Sequence, residues 1–356
     1  MVSSLLCRWG QLLPCRIFMA PMTRARADSS GIPSPLAEAY YAQRASAGLI
    51  ITEATHISPQ AVGYTSAPGM FTSPQADGWR RVVEQVHKVG GRIFVQLVHC
   101  GRISHPLFQP NQMLPVAPSA IAAKGTSRTP AGVLPLPVPR ALERDEIASI
   151  AEQFAAAATL ARQIGFDGVE LQAGNGFLID QFLRDGTNHR TDDYGGSVEN
   201  RSRFLFQVVQ VVAAKIGADR TAVRISPSSA FNDMRDSQPR ITFAHVVAKL
   251  NPLGLAYLHL NEAQEGDISQ GVDPIPVGFF RSSYSGVLVA NGGFTKERAS
   301  QAIQNGEADA VSFGVPFLAN PDLPKRFSLG LALNAPDPST FYGGDARGYT
   351  DYPSVA

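Results

Sequence analysis

The stretch VELQAGNGFLIDQF, residues 169–182, joins two kinds of local structure through one short turn. Its beginning is a largely apolar run that indicates a strand buried on both faces, and its end has helical spacing. The turn carries Gln172, Asn175 and Phe177, and the next ionisable side chain along the chain is Asp180. A strand that passes into a helix in this way is the repeating unit of parallel α/β folds.

The same strand-then-helix unit recurs along the whole chain. Strand-like runs cover residues 16–22, 49–57, 92–98, 168–173, 221–226, 255–260, 285–291 and 308–314, and helical spacing covers 34–47, 77–91, 145–165, 200–217, 242–251 and 295–306. Eight such units in 356 residues predict a (β/α)8 TIM barrel that forms one domain over residues 1–356. The glycine fingerprint of a doubly wound dinucleotide fold does not follow the first run.

The composition restricts the class of partner. Lysine plus arginine, 31, nearly cancels aspartate plus glutamate, 30, so a net charge of +1 gives no reason to expect nucleic acid or an anionic membrane. No apolar run approaches the roughly 20 residues that cross a bilayer. Three cysteines without C-x-x-C spacing argue against structural zinc and for a reducing compartment, the cytoplasm. We therefore expect a small-molecule ligand, no metal, and a monomer or homodimer.

Two connections are too long for simple turns, residues 99–143 and 261–284. They follow the third and the sixth strand, so both are expected at the C-terminal face, where barrel active sites are built. Long loops inside a compact domain are usually functional. These two are predicted to form a lid or a wall of the substrate pocket.

The predicted strand ends carry several amides and one cation, Arg224. The residues at these ends are Thr23, Ala54, Gln96, His99, Gln172, Asn175, Arg224, His259, Asn291, Gly292 and Gly314. Neutral hydrogen-bonding groups around one fixed cation suit a large planar heteroaromatic ligand better than a metal or an acyl-transfer site. An ion-paired arginine at a strand end remains an equal alternative for Arg224.

The seventh and eighth strands end in glycine-bearing turns, ANGGF (290–294) and SFGVPFLANPDL (312–323). Loops at these places form the phosphate site of many barrels, where backbone N–H groups receive the anion. The glycines have an equally simple alternative role as turn formers.

A set of longer motifs appears in a fixed order over nearly the full chain. It includes RIFMAPMTRARA (16–27), AYYAQRASAGLIITEATHISPQ (39–60), GNGFLIDQFLRDGTNHRTDDYGGSVENRSRF (174–204), FLANPDL (317–323) and TFYGGDARGYTDYP (340–353). In these motifs the chain resembles the Old Yellow Enzyme family of FMN-dependent ene-reductases, as a divergent member with altered catalytic residues.

The resemblance implies FMN across the barrel mouth and NAD(P)H as the reductant. It implies that the Thr23 hydroxyl lies near the flavin N5 and O4, that Gln96 binds the pyrimidine edge, and that Arg224 stabilises the anionic reduced ring beside N1 and O2. The remaining cofactor positions that it implies are Pro21, Met22, Ala54, Gly292, Gly314, Phe341 and Tyr342.

Three features depart from the family's pattern: one residue pair and two single residues. Gln172 and Asn175 replace a His-x-x-Asn or His-x-x-His pair that grips the substrate carbonyl, and a neutral amide polarises it less than a protonatable histidine. Phe177 replaces a tyrosine that protonates the carbon beside the carbonyl, a step worth typically ~10²-fold to 10⁴-fold, although a simple packing change is the alternative. Val315 replaces an arginine that clamps the FMN phosphate, so FMN binding is predicted to be weakened or lost.

Two functions follow from this combination. The first is an FMN oxidoreductase that acts on an α,β-unsaturated carbonyl in specialised metabolism, by alkene reduction or by flavin-assisted isomerisation. The second is a flavin-independent cyclase or isomerase for an enone or polyene on the same barrel. The intact ring positions favour the first, and the joint loss of histidine, tyrosine and arginine favours the second.

Overall fold

Eight parallel strands close into a barrel in the computed structural model, which describes residue 1 and residues 3–355. The strands are β1 Ile17–Met19, β2 Leu49–His56, β3 Ile93–Val98, β4 Gly168–Gln172, β5 Thr221–Ile225, β6 Leu258–Asn261, β7 Leu288–Asn291 and β8 Ala310–Phe313. Each strand pairs with its neighbours in sequence, and β8 pairs back with β1. The predicted TIM barrel is confirmed.

Helices alternate with these strands. Their bounds are α1 Leu36–Ala42, α2 Ser73–Lys88, α3 Arg144–Gln163, α4 Leu178–Leu183, α5 Val198–Ile216, α6 Pro239–Leu250, α7 Glu265–Ile268, α8 Lys296–Gln304, α9 Val315–Ala319 and α10 Leu323–Leu329. Local signals set several ends: Thr72 and Gln75 form a capping box before α2, and Gly217, with a φ of 92°, ends α5.

The apolar strands are buried because both of their faces are covered. All residues of β3, β4 and β5 are buried, with helices outside and side chains filling the barrel inside. At the closed end, Trp9 lies between two paired short strands, Leu5–Leu6 and Leu12–Leu13, and its ring centroid is 5.0 Å from that of Phe94. The open end of the barrel is therefore the one at the carboxyl ends of the strands.

Both long loops lie after the strands that the sequence indicated. The connection after β3 contains a hairpin, Thr126–Thr129 with Gly132–Pro135, and the connection after β6 contains α7 and a 3-10 helix, Val277–Ser283. Buried Arg102 anchors the first loop, because its guanidinium donates to the carbonyl oxygen of Asp233 at 2.9 Å. The loops after β3 and β5 are thus joined beside the barrel mouth.

Within residues 1 and 3–355, no helix combines the length and the apolar character that a membrane crossing needs. The same residues contain no group of three His, Cys, Asp or Glu side chains arranged to hold a metal ion. Cys7, Cys15 and Cys100 are all free and buried.

Candidate active site

Strand register places the predicted polar residues at matching levels of the barrel. Ala54 on β2 pairs with Gln96 on β3, and Gln172 on β4 pairs with Arg224 on β5. Arg224 in turn pairs with His259 on β6. Because all these strands are parallel, their carboxyl ends meet at one edge and form the floor of the mouth.

A buried hydrogen-bond network crosses the barrel beneath the mouth. Gln96 Nε2 donates to Glu170 Oε1 at 2.7 Å, and His259 Nδ1 lies 2.8 Å from Glu170 Oε2. His259 Nε2 lies 2.7 Å from Ser312 Oγ and 2.8 Å from Arg224 Nη1. This network, which we call the floor network, consists of Gln96, Glu170, Arg224, His259 and Ser312, all of them buried.

Burial and charge together set the protonation of the floor network. Burial lowers the pKa of His259 to about 4, and the charge of Arg224 contributes to the shift, so the imidazole is neutral at neutral pH. A neutral ring that donates from Nδ1 to a carboxylate keeps Nε2 as an acceptor. Burial alone would raise the pKa of Glu170, but His259, Arg224 and Gln96 hold it below its usual value. Arg224 therefore faces a carboxylate, and the positive charge of Arg224 offsets the negative charge of Glu170 inside the barrel.

Arg224 fits a bound heteroaromatic ring. Its Nη2 donates to Asn291 Oδ1 at 2.8 Å and its Nη1 faces His259, whereas its buried Nε has no partner among the described residues. An unpaired buried donor costs free energy unless a ligand completes it. This N–H fits an acceptor at the edge of a planar ring, so the electrostatic attraction between Arg224 and Glu170 is compatible with the cofactor role that is predicted for Arg224.

The segment after β1 is shaped by a buried carboxylate that the sequence did not single out. Glu53 Oε2 accepts hydrogen bonds from the backbone N–H of Arg24 at 3.0 Å and of Ala25 at 3.3 Å. This carboxylate fixes the turn that follows half-buried Thr23. The register of β2 shifts between Ile51 and Ala54, and Ala54 is the one residue of β2 that is not buried.

Of the two predicted positions that precede Thr23, Met22 lies against the predicted phosphate turn. Pro21 and Met22 are half-buried, and a Cβ added to Gly314 would lie 3.5 Å from Met22 Sδ, an ordinary contact. Gly292 is different, because its φ is 113° and an added Cβ would lie 2.8 Å from the carbonyl oxygen of Glu262. The turn-forming role therefore explains Gly292 without any ligand.

The C-terminal aromatic pair reaches the mouth through Arg24. This fully buried guanidinium donates from Nε to the carbonyl oxygen of Phe341 at 2.9 Å and from Nη2 to that of Gly348 at 2.7 Å. Phe341 is half-buried, whereas Tyr342 has 65% of its surface exposed. The structure thus brings both residues to the segment that carries Thr23.

Gln172 and Asn175 form the polar part of the rim after β4. Gln172 is 3% exposed, and its Oε1 has no partner among the described residues. Asn175 has a φ of 56°, a left-handed conformation that asparagine tolerates, and its Oδ1 accepts from Asn261 Nδ2 at 3.2 Å. With Oδ1 occupied, the Asn175 Nδ2 is the group that remains to bind a carbonyl oxygen.

Phe177 is an apolar part of the same rim. It precedes α4, is 7% exposed, and packs with Val98 and Cys100. Half-buried Ala54 and Tyr64 pack against this small cluster, and the ring centroids of Tyr64 and Phe177 are 6.2 Å apart in an edge arrangement. Sequence reasoning missed Tyr64, which lies in a loop and follows no strand or helix period.

Val315 begins the short helix α9 and is 44% exposed. The structure brings a different arginine to the neighbouring turn: Arg298 Nη1 donates to the carbonyl oxygen of Gly292 at 3.3 Å. Arg298 also pairs with Glu262 and stacks over Phe294, with 4.0 Å between the guanidinium carbon and the ring centroid. The helical spacing of residues 295–306 did not predict that Arg298 would lie beside the turn at Gly292.

Comparisons with known proteins agree with this geometry. The NADH:flavin oxidoreductase / NADH oxidase family matches residues 10–334. A probable flavin mononucleotide-dependent alkene reductase of Leishmania infantum is 42% identical over 97% of this chain and 94% of its own length. The 12-oxophytodienoate reductase 1 of Oryza sativa subsp. japonica is 42% identical over 97% of this chain and 91% of its own length.

Solved structures give the same result. Morphinone reductase superposes with a TM-score of 0.94 and 47% identity, covering 99% of this chain and 96% of the other. The old yellow enzyme homologue from Zymomonas mobilis superposes with a TM-score of 0.95 and 42% identity, covering 99% of each chain. The chain therefore belongs to the NADH:flavin oxidoreductase / NADH oxidase family, the family of Old Yellow Enzyme.

Proposed function

We propose that this protein reduces the carbon–carbon double bond of an α,β-unsaturated carbonyl compound, with FMN as its cofactor and NAD(P)H as the electron source. The observation that carries the proposal is the floor network, which holds buried Arg224 beside an ionised Glu170 and leaves Arg224 Nε open. Relatives named for alkene reduction and 12-oxophytodienoate reduction support the same reaction. A relative has also been solved in complex with tetrahydroNAD, which supports the nicotinamide.

FMN supplies a hydride to the β-carbon of the substrate when it is bound in its reduced form. The chain's own residues fix and tune the place where this happens. The Arg224 guanidinium, which Asn291 and His259 hold in position, would stabilise negative charge on the reduced cofactor ring. Gln96 donates to Glu170, which leaves its carbonyl oxygen to accept from the ring. The Thr23 hydroxyl, which precedes the backbone turn that Glu53 fixes, would hydrogen-bond to the cofactor ring.

The substrate carbonyl binds to the amides of the rim. Asn175 Nδ2 and the Gln172 amide donate to the carbonyl oxygen and withdraw electron density from the double bond. Both donors are neutral at every pH, so polarisation is weaker than with a protonated histidine and does not titrate near neutrality. Substrates with an intrinsically electron-poor double bond are therefore expected to react fastest.

A flavin-assisted isomerisation uses the same floor network and remains a variant of this proposal. The flavin-independent cyclase is not favoured, because the floor network is complete and the relatives are reductases. Gln172 and Phe177 lie at the rim after β4 and Val315 begins α9, so all three lie outside that network.

Absorbance of the purified protein tests the proposal directly. The protein should be yellow, should bleach with NADPH in the absence of oxygen, and should regain its colour when 2-cyclohexenone is added. Protein that stays colourless after incubation with FMN and gel filtration, or whose bleached form is not reoxidised by any enone, would contradict it.

A further inference from the structure

We propose that the Tyr64 hydroxyl is the acid that protonates the substrate carbon next to the carbonyl, the task that Phe177 cannot perform. The inference rests on the proposed function, since it concerns the second half of the same reaction. It assigns to a loop residue a catalytic role that neither strand β4 nor helix α4 provides.

Tyr64 lies against the residues that define the reaction space. Its ring meets the ring of Phe177 edge-on at 6.2 Å between centroids. It packs on the same cluster as Ala54, the one half-buried position of β2. Tyr64 is half-buried, so this side chain is only partly covered by the protein. The phenol therefore lies beside Phe177, which has no hydroxyl of its own to donate a proton.

Asn232 connects the phenol to the carbonyl-binding residue. Its Nδ2 donates to the backbone carbonyl oxygen of Asn175 at 2.8 Å, and its side chain also hydrogen-bonds to the Tyr64 hydroxyl. A carboxamide NH₂ carries two hydrogens, so one group can serve both partners. Arg102 holds the loop in place, because it donates to the carbonyl oxygen of Asn232 at 3.1 Å. Tyr64 and Asn175 are thereby fixed relative to each other.

The proton balance of the step is simple. Addition of hydride to the β-carbon leaves an enolate whose oxygen is held by Asn175 and Gln172. The Tyr64 O–H bond breaks, its proton forms the new C–H bond at the α-carbon, and the enolate electron pair is consumed. The tyrosinate that remains is stabilised by the Asn232 N–H and regains a proton from water. No further oxidant or reductant is required.

The neighbouring ionisable groups are less suited to this step. Burial raises the pKa of Tyr64, which keeps the phenol protonated, and the hydrogen bond from Asn232 opposes this rise in the pKa by favouring the tyrosinate. Cys100 in the same cluster is 1% exposed, and its Sγ lies 3.6 Å from His56 Nε2. Burial lowers the pKa of His99 to about 3, so its imidazole carries no acidic proton at neutral pH. Neither group has a face open to substrate and water together.

Stopped-flow measurement of the two half-reactions tests the proposal with the full-length, FMN-loaded protein. We expect Tyr64→Phe to slow reoxidation by 2-cyclohexenone ~10²-fold or more, in the range of general acid catalysis. Bleaching by NADPH and reoxidation by dioxygen should stay at the wild-type rates, because neither needs protonation of carbon. An unchanged flavin spectrum shows that the variant is folded.

Two further readouts separate an acid from a packing residue. Adding Phe177→Tyr to Tyr64→Phe should recover at least tenfold of the lost rate, because an acid returns to the same space. With 2-methyl-2-cyclohexenone, the wild type should set the new α-carbon stereocentre in one configuration, and Tyr64→Phe should give a mixture as water protonates both faces. Wild-type rate and wild-type stereochemistry in Tyr64→Phe would overturn the proposal. Failure of the wild type itself to react with any enone would instead contradict the proposed function.

Discussion

The floor network and the rim after β4 lie only one strand end apart, yet they are built on opposite principles. Residues of five different strands lock the floor, and each polar group there depends on several others. At the rim, Gln172 has an unpaired oxygen and Phe177 packs against a loop tyrosine. Removing Glu170 or Arg224 from the floor leaves the other buried charge without its counter-charge, whereas a rim residue can change at little structural cost. The floor, which we propose binds the cofactor, is therefore constrained by stability, and the rim, which we propose binds the substrate, is less constrained.

The largest expected effect tests the constraint on the floor. Glu170→Gln removes the carboxylate that faces Arg224 and His259, so the buried guanidinium loses its counter-charge. We expect the free energy of unfolding in urea to fall by about 3–5 kcal/mol, the range for breaking a buried charge pair. Glu297→Gln, at an exposed position of α8, should change it by no more than about 0.5 kcal/mol. Similar values for the two variants would show that the floor carboxylate is no more important for stability than a surface carboxylate.

The next effect follows from the neutral buried histidine of the floor. Its pKa of about 4 lies below the ordinary 6.5, so the unfolded chain takes up a proton before the folded chain does. Stability is fully present above pH 6.5 and is lost as the pH falls towards 4, with a contribution on the order of 3 kcal/mol. We expect His259→Gln to make the fall in unfolding free energy between these pH values less steep. Exposed His189→Gln should leave the slope unchanged, and an equal slope in all three proteins would contradict the assignment.

A third effect concerns the contact that an arginine at position 315 would make with the phosphate of FMN. Val315→Arg should tighten FMN binding by roughly one to two decades, since a charged hydrogen bond contributes roughly 1.5–3 kcal/mol and 1.4 kcal/mol is tenfold. Fluorescence titration of the apoprotein with FMN measures the change. Val315→Met provides length without charge and should bind as the wild type does. If the arginine variant also binds as the wild type, backbone groups and Arg298 already saturate the phosphate.

The smallest effect concerns the acid at the rim. Phe177→Tyr places a second phenol beside Tyr64, so we expect enone reoxidation to rise by about tenfold, below the typical range for introducing general acid catalysis where none exists. Phe206 is half-buried on α5, and Phe206→Tyr is the matched control, which should have no effect on this rate. A rate that stays the same in Phe177→Tyr would show that protonation of the α-carbon does not limit the reaction.

The strands could be predicted from the sequence because burial on both faces leaves a local apolar signature. The same signature extended β6 too far towards its start: Leu255, Ala256 and Tyr257 are buried but lie outside the strand, Leu258–Asn261. Apolar residues report burial, and strand pairing adds a hydrogen-bond condition that composition does not contain.

The polar residues at the strand ends could also be anticipated, but the groups that hydrogen-bond to them could not. Glu170 and His259 are 89 residues apart and meet only because the barrel closes. Glu53 lies inside an apolar run, where its value as a backbone clamp depends on a shift of strand register. Tyr64, Asn232 and Asn261 depend on loop conformations that follow no period. Local sequence patterns do not encode the contacts that cross the closed barrel or the contacts between loops.

The clamp that Arg24 places on the C-terminal segment has a consequence for synthesis of the chain. Its acceptors at Phe341 and Gly348 lie 317 and 324 residues further along. At ribosomal speeds of 5–20 residues per second, roughly 15–60 s pass before this buried guanidinium meets them. All eight strands are translated before then, so the nascent barrel can close while the segment around Thr23 is still unanchored. A chain released before residue 341 would contain all eight strands, but the segment around Thr23 would lack its C-terminal anchor. Anchoring of this segment therefore requires translation of nearly the whole chain.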